Sequence, residues 1–175
     1  MRVTDRSAHQ LVLLRHAKAE PAGSLDDQMR PLALKGRSQA TGVGGSLAAT
    51  GLVPDAVLVS TALRTRQTWD LVRAGLGVPP EVATLSDDVY AAGVRSLLGL
   101  LRQTDESVGT LLVVGHEPTV SQTAAALAGP GSDEAAVARV RVGVPTATYS
   151  VLEVSGAWAD LEPDAARLLT VISPD

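Results

Sequence analysis

Three short apolar runs, each cut off abruptly by polar residues, constrain this chain more than any other feature. Leu11 to Leu14 stops at Arg15-His16, Asp55 to Val59 stops at Ser60-Thr61, and Leu111 to Val114 stops at Gly115-His116. Runs of this kind are the pattern of strands buried on both faces, as in a parallel sheet covered by helices. Helical signals fall between them. A helix is predicted from near Gly36 to Gly51, and a second after Ser60 or Thr61, with one of these as its cap and Gly75 or Gly77 near its stop. The spacing of Val94, Leu97, Leu98 and Leu101 predicts a third over Gly93 to Arg102, and Pro118 fits the first turn of a fourth running to about Leu127. Pro21, Gly23 and Pro31 make residues 17–35 a long loop, Leu85 to Tyr90 reads as irregular, and Gly129 to Glu134 as another loop. Two further strands are expected at Ala138 to Val144, where Val140, Val142 and Val144 alternate, and at Ala147 to Val154, with Leu168 to Ile172 closing the sheet. Strand-then-helix order followed by strands implies an α/β sheet with helices on both faces.

Composition narrows the function classes. At 175 residues the chain suits one domain over residues 1–175, with the polar residues 1–9 as a leader in which His9 is a surface histidine. With 45% apolar and 19% charged residues, disorder and fibrous repeats fit poorly. No apolar stretch approaches the ~18 residues of a membrane span, and Met1 to Gln10 has no hydrophobic signal region, which disfavours membrane anchoring and secretion. A net charge of -4 argues against a nucleic-acid binder working by bulk electrostatics. The absence of cysteine excludes disulfides, thiolate metal sites and a cysteine nucleophile, and fits a cytoplasmic location. Trp69, Tyr90, Tyr149 and Trp158 are the only aromatic residues, too few for a stacking platform.

In open α/β sheets the ligand crevice lies outside the carboxyl ends of the strands, so Arg15, His16, Ser60 and His116 are expected to converge although they are far apart in sequence. Arg15 and Arg64 offer guanidinium forks suited to a tetrahedral oxyanion, and the helix start after Pro118 offers backbone N–H groups. Together these describe a phosphate pocket. Arg64 and Arg66 compete for the clamp, because residues two apart on a helix point to different sides; Arg64 lies closer to the strand end at Ser60, leaving Arg66 as a solvated helix residue. Ser60 reads as a helix cap in preference to a substrate contact. Arg30 either borders the pocket or holds its loop. His116-Glu117 has no accompanying ligand spacing, and no metal site or cofactor is expected.

The motif order carries a family resemblance. Leu13-Leu14-Arg15-His16-Ala17 resembles the Arg-His-Gly signature of the histidine phosphatase superfamily, the phosphoglycerate mutase-like proteins, with Ala17 in place of Gly. Arg30-Pro31-Leu32 followed by Gly36 is similar to a loop of its small SixA-like branch, the phosphohistidine phosphatases. Ser60 and Arg64-x-x-Gln67-Thr68 resemble the second arginine motif, with Thr61 where Pro is common, and Gly115-His116-x-Pro118 resembles the second catalytic histidine motif. The resemblance spans residues 11 to about 130. It implies a three-layer α/β/α fold with a mixed, mostly parallel central sheet flanked by helices. It also implies that His16 is the nucleophile, that Arg15 and Arg64 clamp the phosphoryl oxygens, and that His116 donates to the phosphoryl group.

The chemistry is consistent with that. Neighbouring guanidinium charges keep a histidine neutral and its lone pair available near pH 7, and a phosphohistidine intermediate then needs no metal. Many relatives protonate an alkoxide leaving group with a carboxylate from between the two histidine motifs; the candidates here are Asp87 and Asp88. An imidazole leaving group already carries a proton near neutrality, so a phosphohistidine-bearing protein is the expected substrate partner. The alternatives are a small-molecule phosphomonoester, such as a nucleotide, sugar phosphate or phospho-amino acid, and a non-catalytic phosphohistidine-binding regulator. The short segment from Thr68 to Val114 leaves no room for a large lid.

Overall fold

The computed structural model of the protein describes residues 8–174. The three apolar runs form β1 (His9–Arg15), β2 (Ala56–Ser60) and β4 (Thr110–Gly115), which lie in one sheet with β3 (Ala83–Ser86), β5 (Tyr149–Val154) and β6 (Ala166–Ile172). The order is β3-β2-β4-β1-β5-β6. The first four are parallel, and β5 and β6 extend the sheet antiparallel beside β1, so it is mixed and mostly parallel.

Helices cover both faces, which is why the central runs are apolar without alternation. Leu11 and Leu13 pack in one core with Leu97 and Leu101 of α4 (Val94–Leu101), Leu127 of α5 (Thr119–Leu127) and Val140 of α6 (Glu134–Val142). Val12 and Leu14 face the other way, onto Val43 and Leu47 of α1 (Leu34–Ala49) and Trp69 and Val72 of α2 (Leu63–Leu76). Each buried Leu or Val contributes on the order of 1.5 to 3 kcal/mol of apolar burial, shared between the two cores. Among the described residues no helix is long and apolar enough to cross a membrane.

Several expectations are corrected. Ala138 to Val144 is not a strand: most of it belongs to α6, capped by the Asp133 carboxylate, which accepts from the Ala136 N–H at 2.8 Å. The valine alternation misled because Val140 is buried while Val142 is 91% exposed, so the burial repeat runs from Ala136 to Val140 to Val144 at helical spacing. Gly143, at φ +114°, then stops the helix in a conformation that side chains resist. Leu85 to Tyr90 is ordered as the end of β3 and the short helix α3 (Asp87–Ala91), capped by Ser86. The first helix begins at Leu34, earlier than expected, and α5 begins at Thr119 with Pro118 as its cap position. Of the expected leader, residues 1–7 lie outside the described residues. His9 belongs to β1, is stacked on Trp158 at 4.8 Å between ring centroids and bonded to Glu106 at 3.0 Å, so it is not a free surface histidine.

The expected long loop is shorter than residues 17–35, running over 17–33 to the start of α1 at Leu34, with a 3-10 turn at Asp27–Met29. Its return is anchored where the Ala33 N–H donates to the Lys18 carbonyl at 2.9 Å and the Leu32 N–H to Gln67 Oε1 at 2.8 Å. A side chain at Gly36 would collide with the Lys18 carbonyl, so only glycine lets α1 pass so close to the chain leaving β1. The loop is thereby folded back over the carboxyl ends of the strands.

Candidate active site

Parallel strands in register end on one edge. β1 and β4 pair from Gln10↔Thr110 to Arg15↔Gly115, so the residues that follow, His16 and His116, leave the sheet side by side with ring centroids 5.3 Å apart. The backbone of His16 is fixed on both sides, its N–H donating to the Gly115 carbonyl and its carbonyl accepting from the Ala147 N–H, each at 3.0 Å. The next N–H, that of Ala17, donates to Thr68 Oγ1 at 3.0 Å, tying the motif to α2.

The His16 side chain is buried, and its Nδ1–H donates to the Ala17 carbonyl at 2.7 Å. A carbonyl only accepts, so the tautomer is set and Nε2 carries the lone pair. Arg64 Nε–H faces that lone pair at 3.4 Å. Burial pushes the His16 pKa down to about 3; the bond to Ala17 opposes this, while His116, Arg64 and Arg15 reinforce it. The ring is neutral throughout the range in which proteins work.

His116 is set the other way round. Arg64 Nη2–H donates to its Nδ1 at 3.2 Å, and because a guanidinium cannot accept, the proton sits on Nε2 and is donated to Ser60 Oγ at 2.7 Å. Burial and the Arg64 charge push the His116 pKa down to about 4, against the pull of Asp27. Ser60 therefore spends its side chain on His116, and also accepts from the Ala62 N–H at 3.3 Å; the cap position of α2 is Ala62, with no side-chain cap, which corrects the expectation of a Ser60 or Thr61 cap. Gly77 does close α2, in the left-handed conformation.

The two arginines differ in their partners. Arg64, 6% exposed in the first turn of α2, donates through Nη1 to the Asp27 carbonyl at 2.7 Å and through Nη2 to Asp27 Oδ2 at 2.9 Å. Arg15 donates through Nη1 to the Val144 carbonyl at 2.8 Å, and its buried Nε has no partner among the described residues. Burial lowers the Arg15 pKa, opposed by the carboxylate of Glu117. Glu117 is itself held by the N–H and hydroxyl of Ser121 at 2.8 and 2.7 Å. Arg66 is half-buried, so it is less solvated than expected, and it does not line the cavity.

These residues enclose a cavity of about 430 Å³ lined by Arg15, His16, Asp27, Arg30, Arg64, Tyr90, His116 and Glu117. Arg15, His16, Arg30, Arg64 and His116, which were expected at the pocket, all line it, whereas Ser60 does not and meets the site only through its bond to His116. Arg30 both borders the cavity and holds its loop, donating to the Glu20 carbonyl at 3.0 Å and to Asp27 Oδ1 at 3.2 Å. Asp87 and Asp88 do not line it: Asp87 accepts from Thr61 Oγ1 at 2.6 Å at the start of α3, and both are exposed. The carboxylate that does reach the cavity from the chain before β2 is Asp27, which sequence reasoning missed together with Tyr90, whose hydroxyl donates to Asp27 Oδ2 at 2.8 Å. Their only sequence signals were an aspartate three positions before Arg30 and the one tyrosine between the two histidine motifs. With three cationic or donor groups around a neutral histidine lone pair, the arrangement is suited to holding a tetrahedral oxyanion against a nitrogen nucleophile.

Comparison with known proteins agrees with this chemistry. Residues 11–85 match the histidine phosphatase superfamily (branch 1). An uncharacterized protein of Mycobacterium tuberculosis is 41% identical over 157 residues, 89% of this chain and 96% of that protein. The SixA protein of Nakamurella multipartitia superposes with a TM-score of 0.81 at 36% identity, covering 95% of this chain and 96% of the other. The SixA protein of Agrobacterium tumefaciens gives 0.79 at 29%, covering 95% and 98%. A mycobacterial glucosyl-3-phosphoglycerate phosphatase shares the fold alone, at 0.64 and 19% identity over 96% of this chain and 100% of the other. Fold and kinship define the class, a phosphatase acting on a phosphorylated substrate. The chain belongs to the histidine phosphatase superfamily, in its SixA-like branch.

Proposed function

We propose that the chain is a single histidine phosphatase domain that removes phosphoryl groups from phosphohistidine on a protein, through a covalent phosphohistidine intermediate at His16. The observation that carries this reading is the buried, neutral His16 ring, with Nδ1–H tied to Ala17 and the Nε2 lone pair facing Arg64. Nε2 attacks phosphorus while Arg15 and Arg64, both lining the cavity, hold the non-bridging oxygens. A phosphoryl dianion beside His116 raises its pKa toward neutrality, which turns Nδ1 from acceptor into donor as charge develops. Water then hydrolyses the phosphoenzyme. Arg30 acts through Asp27, to which it is bonded.

A protein substrate is supported by kinship to the SixA proteins and by the thin cover over the cavity. Between α2 and β4 the chain forms a 3-10 turn at Pro80–Val82 followed by β3, α3 and α4, and the mouth is bordered by the loop carrying Asp27 and Arg30. The test is release of inorganic phosphate from a phosphohistidine-carrying phosphotransfer protein in EDTA, wild type beside His16→Ala. Release by wild type alone is expected. Release by neither, with turnover of sugar or nucleotide phosphates instead, moves the assignment to a small-molecule phosphatase, whose substrates a cavity of about 430 Å³ also accommodates.

A further inference from the structure

The Arg64 guanidinium turns its Nε edge to His16 Nε2 and its two terminal nitrogens to Asp27, at 2.7 Å to the carbonyl and 2.9 Å to Oδ2. The nitrogen nucleophile and the carboxylate thus lie at opposite ends of one planar group. A phosphoryl group seated across it has His16 on one side and Asp27 on the other, and in an in-line displacement the second side is the one from which the leaving group departs.

Asp27 is built to stay ionised. It accepts from Tyr90 at 2.8 Å, from Arg64, and from Arg30 at 3.2 Å; led by the Tyr90 bond, these hold its carboxyl well below the usual carboxylate range. Its side chain is nevertheless 49% exposed, so lone pairs remain open to the mouth. An ionised carboxylate cannot give a proton to a departing alkoxide at neutral pH. It can accept a hydrogen bond from a leaving group that already carries one. Resting on the reading above, we infer that Asp27 contacts the substrate, accepting the ring N–H of a protonated phosphohistidine and so selecting a phosphoryl–nitrogen bond over a phosphoryl–oxygen bond.

The step balances without an acid. His16 Nε2 forms its bond to phosphorus as the substrate's P–N bond breaks. The electron pair of that bond goes to the leaving ring nitrogen. The proton on the other ring nitrogen stays in place against Asp27, and the ring departs as neutral imidazole.

Asp27→Asn separates this role from simple support of Arg64. For the phosphohistidine protein, kcat/KM is expected to fall about 10- to 100-fold, the range for one hydrogen bond to a charged group. Competitive inhibition by inorganic phosphate, which needs the arginine clamp but has no leaving group, is expected to stay equal or tighten, because a negative charge at the mouth is gone. Weaker inhibition in parallel with lost turnover overturns the inference, since Asp27 then acts only through Arg64. Unchanged turnover overturns it as well. If wild-type protein already fails to release phosphate from the phosphohistidine protein, the proposed function falls first and the inference with it, a result visible before any variant is compared.

Discussion

The floor of the cavity and its mouth are built by different physical means. His16, Ser60 and His116 sit directly on the ends of β1, β2 and β4, and their positions are consequences of strand register. Asp27 and Arg30 hang from a loop of residues 17–33, reach the site through side chains, and remain substantially exposed, at 49% and 27% of their side-chain surface. The floor is buried, and the imidazoles there are forced neutral by desolvation; the mouth is wet, and its carboxylate is held anionic by hydrogen bonds. Burial therefore prepares the nucleophile, and polar contacts prepare the opposite side. Substitutions on the floor should cost chemistry, whereas substitutions at the mouth should cost discrimination.

The largest effect is expected from His16→Ala, which removes the ring nitrogen that faces the Nε–H of Arg64. Turnover should drop to the uncatalysed background, and no acid-labile phosphoenzyme should form; a variant that still traps labelled phosphate would place the nucleophile elsewhere. Acid should come next. His16 and His116 have folded pKa values near 3 and 4, below the ~6.5 of an unfolded histidine. The unfolded chain therefore binds more protons below that value, and stability present above pH 6.5 is lost as pH falls toward 3. Melting temperature should decline from pH 6.5 to 5, where carboxylates have barely begun to titrate, and decline less steeply in His16→Gln. Equal slopes would remove His16 from the account.

Arg64→Ala deletes the group that touches both histidines and Asp27. A loss of about 2 to 4 kcal/mol in transition-state stabilisation is expected, read as a fall in kcat/KM of roughly 30- to 1000-fold. Ser60→Ala leaves the His116 Nε2–H without its acceptor, and about 1 to 2 kcal/mol, or roughly 5- to 30-fold in kcat/KM, should follow. The smallest effect belongs to the mouth. Arg30→Ala breaks an exposed pair with Asp27 worth at most about 1 kcal/mol, and less than about fivefold in activity should be lost. If Arg30→Ala cost as much as Arg64→Ala, the division between floor and mouth would be wrong.

The uneven legibility of the sequence follows the same division. The central strands could be read because a parallel sheet buried on both faces demands unbroken apolar runs, and the residues closing those runs had to meet at one edge. Arg64 was separable from Arg66 because helical geometry makes neighbours two apart diverge. Asp27 could not be found that way, since a loop side chain has no period, and the two acidic candidates read from the sequence, Asp87 and Asp88, lie at the start of α3 and do not line the cavity. The role of Ser60 was misjudged for a related reason: a serine at a strand end before a helix satisfies the local rule for a cap, while its actual partner, His116, comes from a different strand.

What the sequence by itself determined was the central strands β1, β2 and β4, the α/β class with helices on both faces, and the meeting of Arg15, His16, Arg64 and His116, because buried parallel strands demand apolar runs that end on one edge. What only the tertiary structure decided was the tautomer of each histidine, the pairing of Ser60 with His116, the helical state of residues 134–142 and the arrival of Asp27 opposite His16. Those depend on which atoms of distant segments come within about 3 Å of one another, a distance that no one-dimensional pattern encodes.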